Sequence, residues 1–358
     1  MFLQALSVKV GIATNRDLAQ TCRDLYPQWL VYILWIAMEV AIMATDMAEV
    51  IGSAIALKLL FGIPLIAGVF ITIVDVFIVL ALQGRSFRIT EALVALLLLL
   101  IAVCFAVQIG MTKPPAGPLF AGFIPTSSIF TNNNELFIAI GILGATVMPH
   151  NLFLHSSIVL TREMRPDLAS RKQYLQFAQI DSTVSLSFAL FVNAAILIMA
   201  ATTFYLNGEF YVDDISTAYQ LIGPLVGNQA AQVLFGVALL ASGLNATLTG
   251  TIAGQIVMEG FTRWTISPVY RRFFCRLLAI LPAAIAVSIG GDALANKLLI
   301  ESQVILSFCL PFAVFPLAHV TSSPAIMKEF VNSTFVKIMV FAISFFLLAV
   351  NLLLLAQS

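Results

Sequence analysis

Residues 142–156 read Ile-Leu-Gly-Ala-Thr-Val-Met-Pro-His-Asn-Leu-Phe-Leu-His-Ser, and this stretch decides the fold. It lies inside an apolar segment that is long enough to cross a bilayer, which takes about 20 residues. Pro149 has no backbone N–H, so the carbonyl of Ala145 loses its helical partner. In hydrocarbon a freed carbonyl is tolerated only where it is buried in protein or lines a cavity. The stretch therefore predicts a broken membrane helix whose break faces a cavity.

Groups that bind cations surround the predicted break. The Ala145 carbonyl, the Met148 thioether and the imidazoles of His150 and His155 follow one another along it. Thioether and imidazole suit transition metals, and although methionine is commonly a core filler, its place beside Pro149 favours a ligand. The two histidines are five residues apart and do not share a helical face. We expect one to touch a permeation path and the other to join a proton route, because imidazole titrates near neutral pH.

The composition is that of a membrane protein. Of 358 residues, 60% are hydrophobic and 10% are charged, whereas soluble domains carry about 25% charged residues. The sequence predicts an all-α, polytopic membrane protein. Its net charge of zero gives no case for a nucleic-acid partner, and its four cysteines lack metal or disulfide spacing. No nucleotide loop, nucleophile elbow or hydrolase spacing is present, so we expect neither an enzyme nor a cofactor.

Nine segments are apolar and long enough to span a bilayer. The predicted spans are 30–57, 62–84, 89–111, 135–160, 181–205, 229–257, 275–296, 299–321 and 336–356. With this count, all but three of the 18 Lys and Arg residues fall on one side, which is then cytoplasmic and includes the N-terminus. We expect a single transmembrane domain over 1–358, N-terminally truncated, with 1–29 as a cytoplasmic lead-in from the end of a missing span.

Ionisable residues inside spans are expensive and usually face a cavity or a partner. Glu39, Asp46 and Glu49 are spaced seven and three residues apart, which places them on one helical face. The functional interpretation is a proton or cation route, favoured for Asp46 and Glu49 as a pair. The alternative is structural pairing with an arginine or histidine of another span, and Glu39 could simply be hydrated.

Five further polar residues lie in or beside spans. Arg276 either pairs with the acids of the first span or snorkels to the surface. Gln303 offers a neutral oxygen that could complete a cation's shell. For the other three the structural interpretation is preferred: a helix–helix hydrogen bond for Asp75, an N-terminal cap for Asp181 and a satisfied structural histidine for His319.

Several longer runs resemble the NRAMP family of proton-coupled transporters of divalent transition metals such as manganese and iron. They are Met-Pro-His-Asn at 148–151, Leu-His-Ser at 154–156, Asp-Met-Ala-Glu-Val-Ile-Gly-Ser-Ala at 46–54, Thr-Gly-Thr and Ala-Gly-Gln within 249–255, and Met-Glu-Gly-Phe at 258–261. The resemblance covers essentially the whole chain. It implies the LeuT-type inverted-repeat bundle, in which broken helices form a site at the membrane midplane.

The resemblance also implies roles for particular residues. Met148 and the Ala145 carbonyl resemble the family's metal ligands on its sixth helix, and Gln303 resembles a tenth-helix ligand. Asp46 and Glu49 resemble the third-helix acids of the proton path, to which His150, His155 and Arg276 are assigned as well. Manganese or iron is then the transported substrate and not a cofactor, and the partners are divalent metal ions, protons and the lipid bilayer.

One departure from the family pattern is large. The family's first helix carries an Asp-Pro-Gly-Asn motif that binds the metal, and this motif does not occur here. We therefore expect the nine spans to be family helices three to eleven, without the first helix and most of the second. Two alternatives remain open: an amino-acid or sodium symporter of the same fold, against which the Met-Pro-His run argues, and a non-transporting form that associates with a full-length paralogue. In each case the protein is a multi-pass protein of the plasma membrane or of an endosomal or vacuolar membrane.

Overall fold

The computed structural model describes residues 1–74, 87–124, 132–162, 167–209, 212 and 214–357. Within these ranges the chain is helical and has no strand, as predicted. The helices, numbered here in chain order, are α1 Phe2–Thr14, α2 Leu18–Leu25, α3 Gln28–Phe61, α4 Leu65–Ile71, α5 Phe87–Thr112, α6 Ala116–Ala121, α7 Asn133–Thr146, α8 Pro149–Ile158, α9 Leu168–Thr203, α10 Ile215–Val226, α11 Gln229–Thr262, α12 Pro268–Cys309, α13 Pro311–Ser322, α14 Pro324–Met327 and α15 Thr334–Gln357.

Seven helical segments of the described ranges are long and apolar enough to cross a membrane. They account for the predicted spans with two differences. The predicted span 62–84 coincides with α4 over its first part, and its remainder, including Asp75, lies largely outside the described residues. The two predicted spans 275–296 and 299–321 belong to one continuous helical segment, Val269–Ser322.

The boundary inside that segment lies at a glycine and not at the predicted lysine loop. The backbone leaves the helical region at Gly291, where φ is 58° and ψ is −142°, a conformation that side chains with a Cβ rarely adopt. Lys297, expected between two spans, instead lies within α12 and pairs with Glu301 one turn later at 3.7 Å. The prediction of a boundary near residue 297 was therefore wrong, because a lysine can lie on an exposed helical face as readily as in a loop.

The N-terminal residues are packed into the bundle. Helix α1 is buried along most of its length and lies directly against α8. A Cβ added at Gly11 would lie 2.3 Å from the carbonyl oxygen of Ser156, so the two helices approach as closely as their backbones allow. The Ser156 hydroxyl accepts a hydrogen bond from the Leu18 amide at 2.9 Å. The N-terminal segment thus packs directly against α8 and helps to position it.

Two apolar clusters hold the centre of the bundle. The larger joins α1, α2, the first half of α3, α8 and α13. The second joins the second half of α3 with α4 and α12. Because α3 contributes to both, its middle turns lie at the centre of the protein, and its ionisable side chains there must find partners within the protein.

Candidate functional site

The predicted break at Pro149 is present. Helix α7 ends at Thr146 and α8 begins at Pro149, and between them Val147 has the non-helical angles φ −112° and ψ 65°. Met148 occupies the N-cap position of α8. The Asn151 side chain donates to the Met148 sulfur at 3.5 Å, so these two side chains lie on one face of the helix. The break leaves the Ala145 carbonyl without a donor from residue 149.

Gln303 lies opposite the end of α7. A Cβ added at Gly144 would lie 2.2 Å from the Gln303 carbonyl oxygen and 2.6 Å from the Ser307 amide nitrogen. Gly144 therefore lets α12 contact the backbone of the residue that precedes Ala145. The Gln303 amide donates to the Ser302 hydroxyl at 2.9 Å. The structure thus brings the Gln303 backbone against the residue that precedes Ala145.

The predicted acids of α3 are buried and paired. Asp46 is 1% exposed and Glu49 is 5% exposed. Arg272 donates to Asp46 at 2.6 Å, and its other terminal nitrogen lies 3.6 Å from Glu49. Arg276 lies 3.7 Å from Glu49 and donates to the Thr72 carbonyl oxygen at 3.3 Å. Two carboxylates and two guanidinium groups thus form one buried network, which we call the acid–arginine network.

Arg272 is the member of this network that the sequence analysis missed. Arg276 was considered as a partner for the acids, and at 3.7 Å from Glu49 it is one. Arg272 was counted only among the Lys and Arg residues of the cytoplasmic side, although it is 3% exposed and contacts both acids. The sequence does indicate this pairing, because Arg272 and Arg276 are four residues apart and share a helical face. A helix that presents two arginines to the interior needs two acids to balance their charge.

Glu39 is also paired. Arg271 donates to both of its carboxylate oxygens at 2.9 Å, and the Trp35 indole donates to it at 3.0 Å. The expectation that Glu39 might only be hydrated was therefore wrong. Its carboxylate is 20% exposed, so this pair lies nearer to solvent than the acid–arginine network does.

Small residues of α11 provide room for these charged side chains. A Cβ at Gly254 would lie 2.0 Å from a terminal nitrogen of Arg271, and a Cβ at Gly250 would lie 3.2 Å from Glu49. Thr247 donates to Glu49 at 3.0 Å. The small-residue run of α11 therefore shapes a polar interior as well as close helix packing. Beside it lies a cavity of about 10 Å³, bounded by Asp46, Gly250 and Arg272 among others, which is about the size that holds one water molecule.

The two histidines of α8 have different surroundings. His150 is 1% exposed and lies in the first turn of α8, directly after Pro149. His155 is partly buried, and its Nδ1 lies 2.7 Å from the Gln4 side-chain oxygen. The two imidazoles therefore have different surroundings, as their five-residue spacing predicts.

Two other polar residues can now be placed. Helix α9 begins at Leu168 and is capped by Asp167, whose carboxylate accepts from the Ser170 amide at 2.9 Å. Asp181 lies well inside this helix, so its predicted role as a cap was wrong. His319 accepts or donates a hydrogen bond with the Tyr26 hydroxyl at 2.7 Å, as expected of a satisfied structural histidine.

The described residues contain no group of three or more His, Cys, Asp or Glu side chains that could hold a metal ion. All four cysteines are free and buried. Fold and site together define a polytopic helical membrane protein with a broken helix and a buried network of charges at its centre.

Comparison with known proteins identifies the family. The model of the natural resistance-associated macrophage protein-like family matches residues 1–357, and the chain belongs to this family. It is 49% identical to the divalent metal cation transporter MntH of Nostoc sp. over all 358 residues, which cover 81% of that protein. It is 52% identical to MntH of Listeria monocytogenes over 355 residues, covering 79% of that protein.

A solved structure shows the same fold. The crystal structure of the Eremococcus coleocola manganese transporter, in complex with an aromatic bis-isothiourea substituted compound, matches with a TM-score of 0.89 and 38% identity. The match covers 100% of this chain and 77% of that one. Members of the family are transporters and not enzymes. The comparisons do not support the expectation that the first helix and most of the second are missing, because the chain matches most of each relative's length.

Proposed function

We propose that this protein carries divalent transition-metal ions, Mn²⁺ or Fe²⁺, across a membrane and couples their movement to protons. Its relatives are divalent metal cation transporters by name. The observation on this chain that carries the proposal is the break between α7 and α8, which places the Met148 sulfur and the Ala145 carbonyl inside a membrane-spanning segment. Irregular backbone at that depth is characteristic of transporter binding sites.

The chemistry of the donor set supports a transition metal. Carbonyl and amide oxygens accept hard and borderline cations alike, whereas a thioether is a poor ligand for Ca²⁺ and Mg²⁺. Met148 would thus supply selectivity, while Ala145 and Gln303 would supply oxygen ligands.

The acid–arginine network supports the proton coupling. Asp46 and Glu49 are balanced by Arg272 and Arg276, so protonation of one acid would leave an arginine in excess in a buried site. Such an imbalance costs several kcal/mol and favours a different arrangement of the helices. We propose that a metal ion enters from outside and that a proton passes by His150, Asp46 and Glu49 toward Arg276 and the cytoplasm. His155, also assigned to this route, lies apart from the network.

The test of the ligand assignment is Mn²⁺ uptake by proteoliposomes in the presence of competing Ca²⁺. Met148→Leu keeps the volume of the side chain and removes the sulfur, while Met148→Ala removes both. If Met148 is a ligand, both variants lose discrimination against Ca²⁺ more than they lose Mn²⁺ uptake. Unchanged competition profiles in both variants would refute the assignment.

The competing proposal is a chain that does not transport alone and associates with a full-length paralogue. The absence of an Asp-Pro-Gly-Asn run from the 358 residues supports it. Co-expression of this chain with a full-length family member, followed by affinity purification through a tag on one of them, tests it. Co-purification together with no Mn²⁺ uptake by this chain alone would favour this proposal over the first.

A further inference from the structure

A polar cavity lies beside α8, on the side of the break toward Arg162. It has a volume of about 280 Å³ and is lined by residues of α1, α8, α9 and α11. The polar residues that line it are Gln4, Asn151, His155, Asp181, Ser182, Ser185 and Thr249. We call it the inner cavity, because α8 runs from the break toward the predicted cytoplasmic side. Neither the metal ligands at the break nor the acid–arginine network uses it.

The inner cavity is connected to the break by one face of α8. Residues three and seven positions apart lie on the same face of a helix, and Met148, Asn151 and His155 have this spacing. The bond from Asn151 to the Met148 sulfur shows that the first two do share a face. With a rise of 1.5 Å per residue, His155 lies about 10 Å beyond Met148 along the helix.

The His155 ring is held in the form that binds a metal. Its Nδ1 lies 2.7 Å from the side-chain oxygen of Gln4. An amide oxygen can only accept, so Nδ1 carries the proton, and in the neutral ring Nε2 then keeps its lone pair. Metal-binding histidines are typically oriented by such a bond from the other ring nitrogen. Gln4 is therefore a positioning residue, and Nε2 of His155 is available to a ligand.

Asp181 does not cap its own helix. It lies well inside α9, which Asp167 caps, at the start of the apolar stretch 181–205 of that helix. Asp181 is exposed and lines the inner cavity together with His155. A carboxylate on the wall of this cavity supplies oxygen donors of the kind that suit divalent cations.

We infer that His155 Nε2 and the Asp181 carboxylate form a second binding site for a divalent transition-metal ion, reached after the ion leaves Met148. The inference rests on the proposed transport function. One imidazole and one carboxylate suit Mn²⁺ or Fe²⁺, and the Asn151 amide, the serine hydroxyls and retained water can fill the other positions. A volume of 280 Å³ accommodates several waters at about 30 Å³ each.

Two protein ligands make a weak site, and weakness suits a stop on an exit path. Conduction requires binding that is favourable enough to admit an ion and weak enough to release it. The alternative is that His155 and Asp181 only stabilise each other across the cavity. The two interpretations differ in whether an imidazole nitrogen enters the coordination shell of a bound ion.

Electron spin echo spectroscopy of Mn²⁺ bound to the purified chain in lipid nanodiscs shows whether an imidazole nitrogen coordinates the ion. Coordination by the His155 imidazole should produce nitrogen modulation in the unmodified chain. The proposed ligands at the break include no nitrogen, so they would not produce this signal. The chain has three histidines, so the source can be assigned. The modulation should be lost in His155→Gln and kept in the control His319→Gln. In Asp181→Asn we expect Mn²⁺ affinity at this site to fall by at least the roughly 10–100-fold that loss of an outer-shell partner costs.

The electron spin echo spectrum of the unmodified chain tests the second site even if a variant fails to fold. Mn²⁺ uptake by proteoliposomes, measured on the same preparation, separates the proposed transport function from the proposed second site. Uptake without nitrogen modulation would overturn the second site and leave the proposed function standing, as would modulation lost in His150→Gln and kept in His155→Gln. A chain that neither binds nor takes up Mn²⁺ would overturn both.

Discussion

Replacing Arg272 with methionine would remove the central cation of the acid–arginine network and keep much of its volume. Its terminal nitrogens lie 2.6 Å from Asp46 and 3.6 Å from Glu49, and all three side chains are at most 3% exposed. With an effective dielectric constant of about 20, these two attractions amount to about 6 and about 5 kcal/mol. Removing the guanidinium also recovers several kcal/mol of its own desolvation cost.

The expected net result for Arg272→Met is a loss of about 3–5 kcal/mol in the free energy of unfolding, the usual consequence of leaving one buried charge unpaired. Asp46→Asn should cost less, because Arg272 retains Glu49 at 3.6 Å. The double variant Asp46→Asn/Arg272→Met should be more stable than Arg272→Met alone, since the uncompensated carboxylate is gone.

Tryptophan fluorescence during titration with SDS in mixed micelles would measure these differences. The matched control is Arg271→Met, which breaks a pair whose carboxylate is 20% exposed and should cost less than Arg272→Met. If Arg272→Met cost no more than this control, and if the double variant brought no recovery, the conclusion that Arg272 and Asp46 form a buried pair would be refuted.

Two further predictions test the packing and the pH response. Gly144→Ala should lose about 1–3 kcal/mol or more of stability, because its Cβ would lie 2.2 Å from a backbone oxygen of α12. In the control Gly52→Ala the new Cβ meets nothing within 4 Å, so that variant should be neutral or gain up to about 1 kcal/mol. Equal stabilities of the two variants would contradict the close approach of α7 and α12. Burial raises the pKa of Asp17 from 3.8 to about 6, so its contribution to stability is fully present below pH 4 and about 3 kcal/mol is lost as the pH rises to about 6. Asp17→Asn keeps the cap and should remove this pH dependence from melting curves recorded between pH 4 and pH 7; an unchanged profile would contradict it.

Local chemistry made much of the site predictable. Pro149 removes the backbone donor of the Ala145 carbonyl, which favours a break, and the spacing of Asp46 and Glu49 requires a shared face. These features depend only on backbone hydrogen bonding and helix geometry. The membrane class and all-α fold follow equally directly from the length of the apolar segments.

Features that depend on contacts between distant segments were not predictable in the same way. Arg272 looks like a cytoplasmic residue until α12 is packed against α3. Asp181 looks like a cap because apolar length marks where a membrane begins, whereas α9 starts 13 residues earlier, at Leu168. The boundary at Gly291 was not predicted because the charged residue Lys297 indicated a loop more strongly than Gly290 and Gly291 did.

The measurement that tests the central claim most directly records Mn²⁺ and H⁺ together. Proteoliposomes that contain only this purified chain would carry a metal-sensitive dye inside and a pH indicator, with Mn²⁺ added outside. The account predicts Mn²⁺ entry accompanied by proton movement, with the proton movement lost or uncoupled in Glu49→Gln. Mn²⁺ entry with unchanged proton flux in that variant, or no Mn²⁺ entry into liposomes that hold the correctly folded chain, would contradict it.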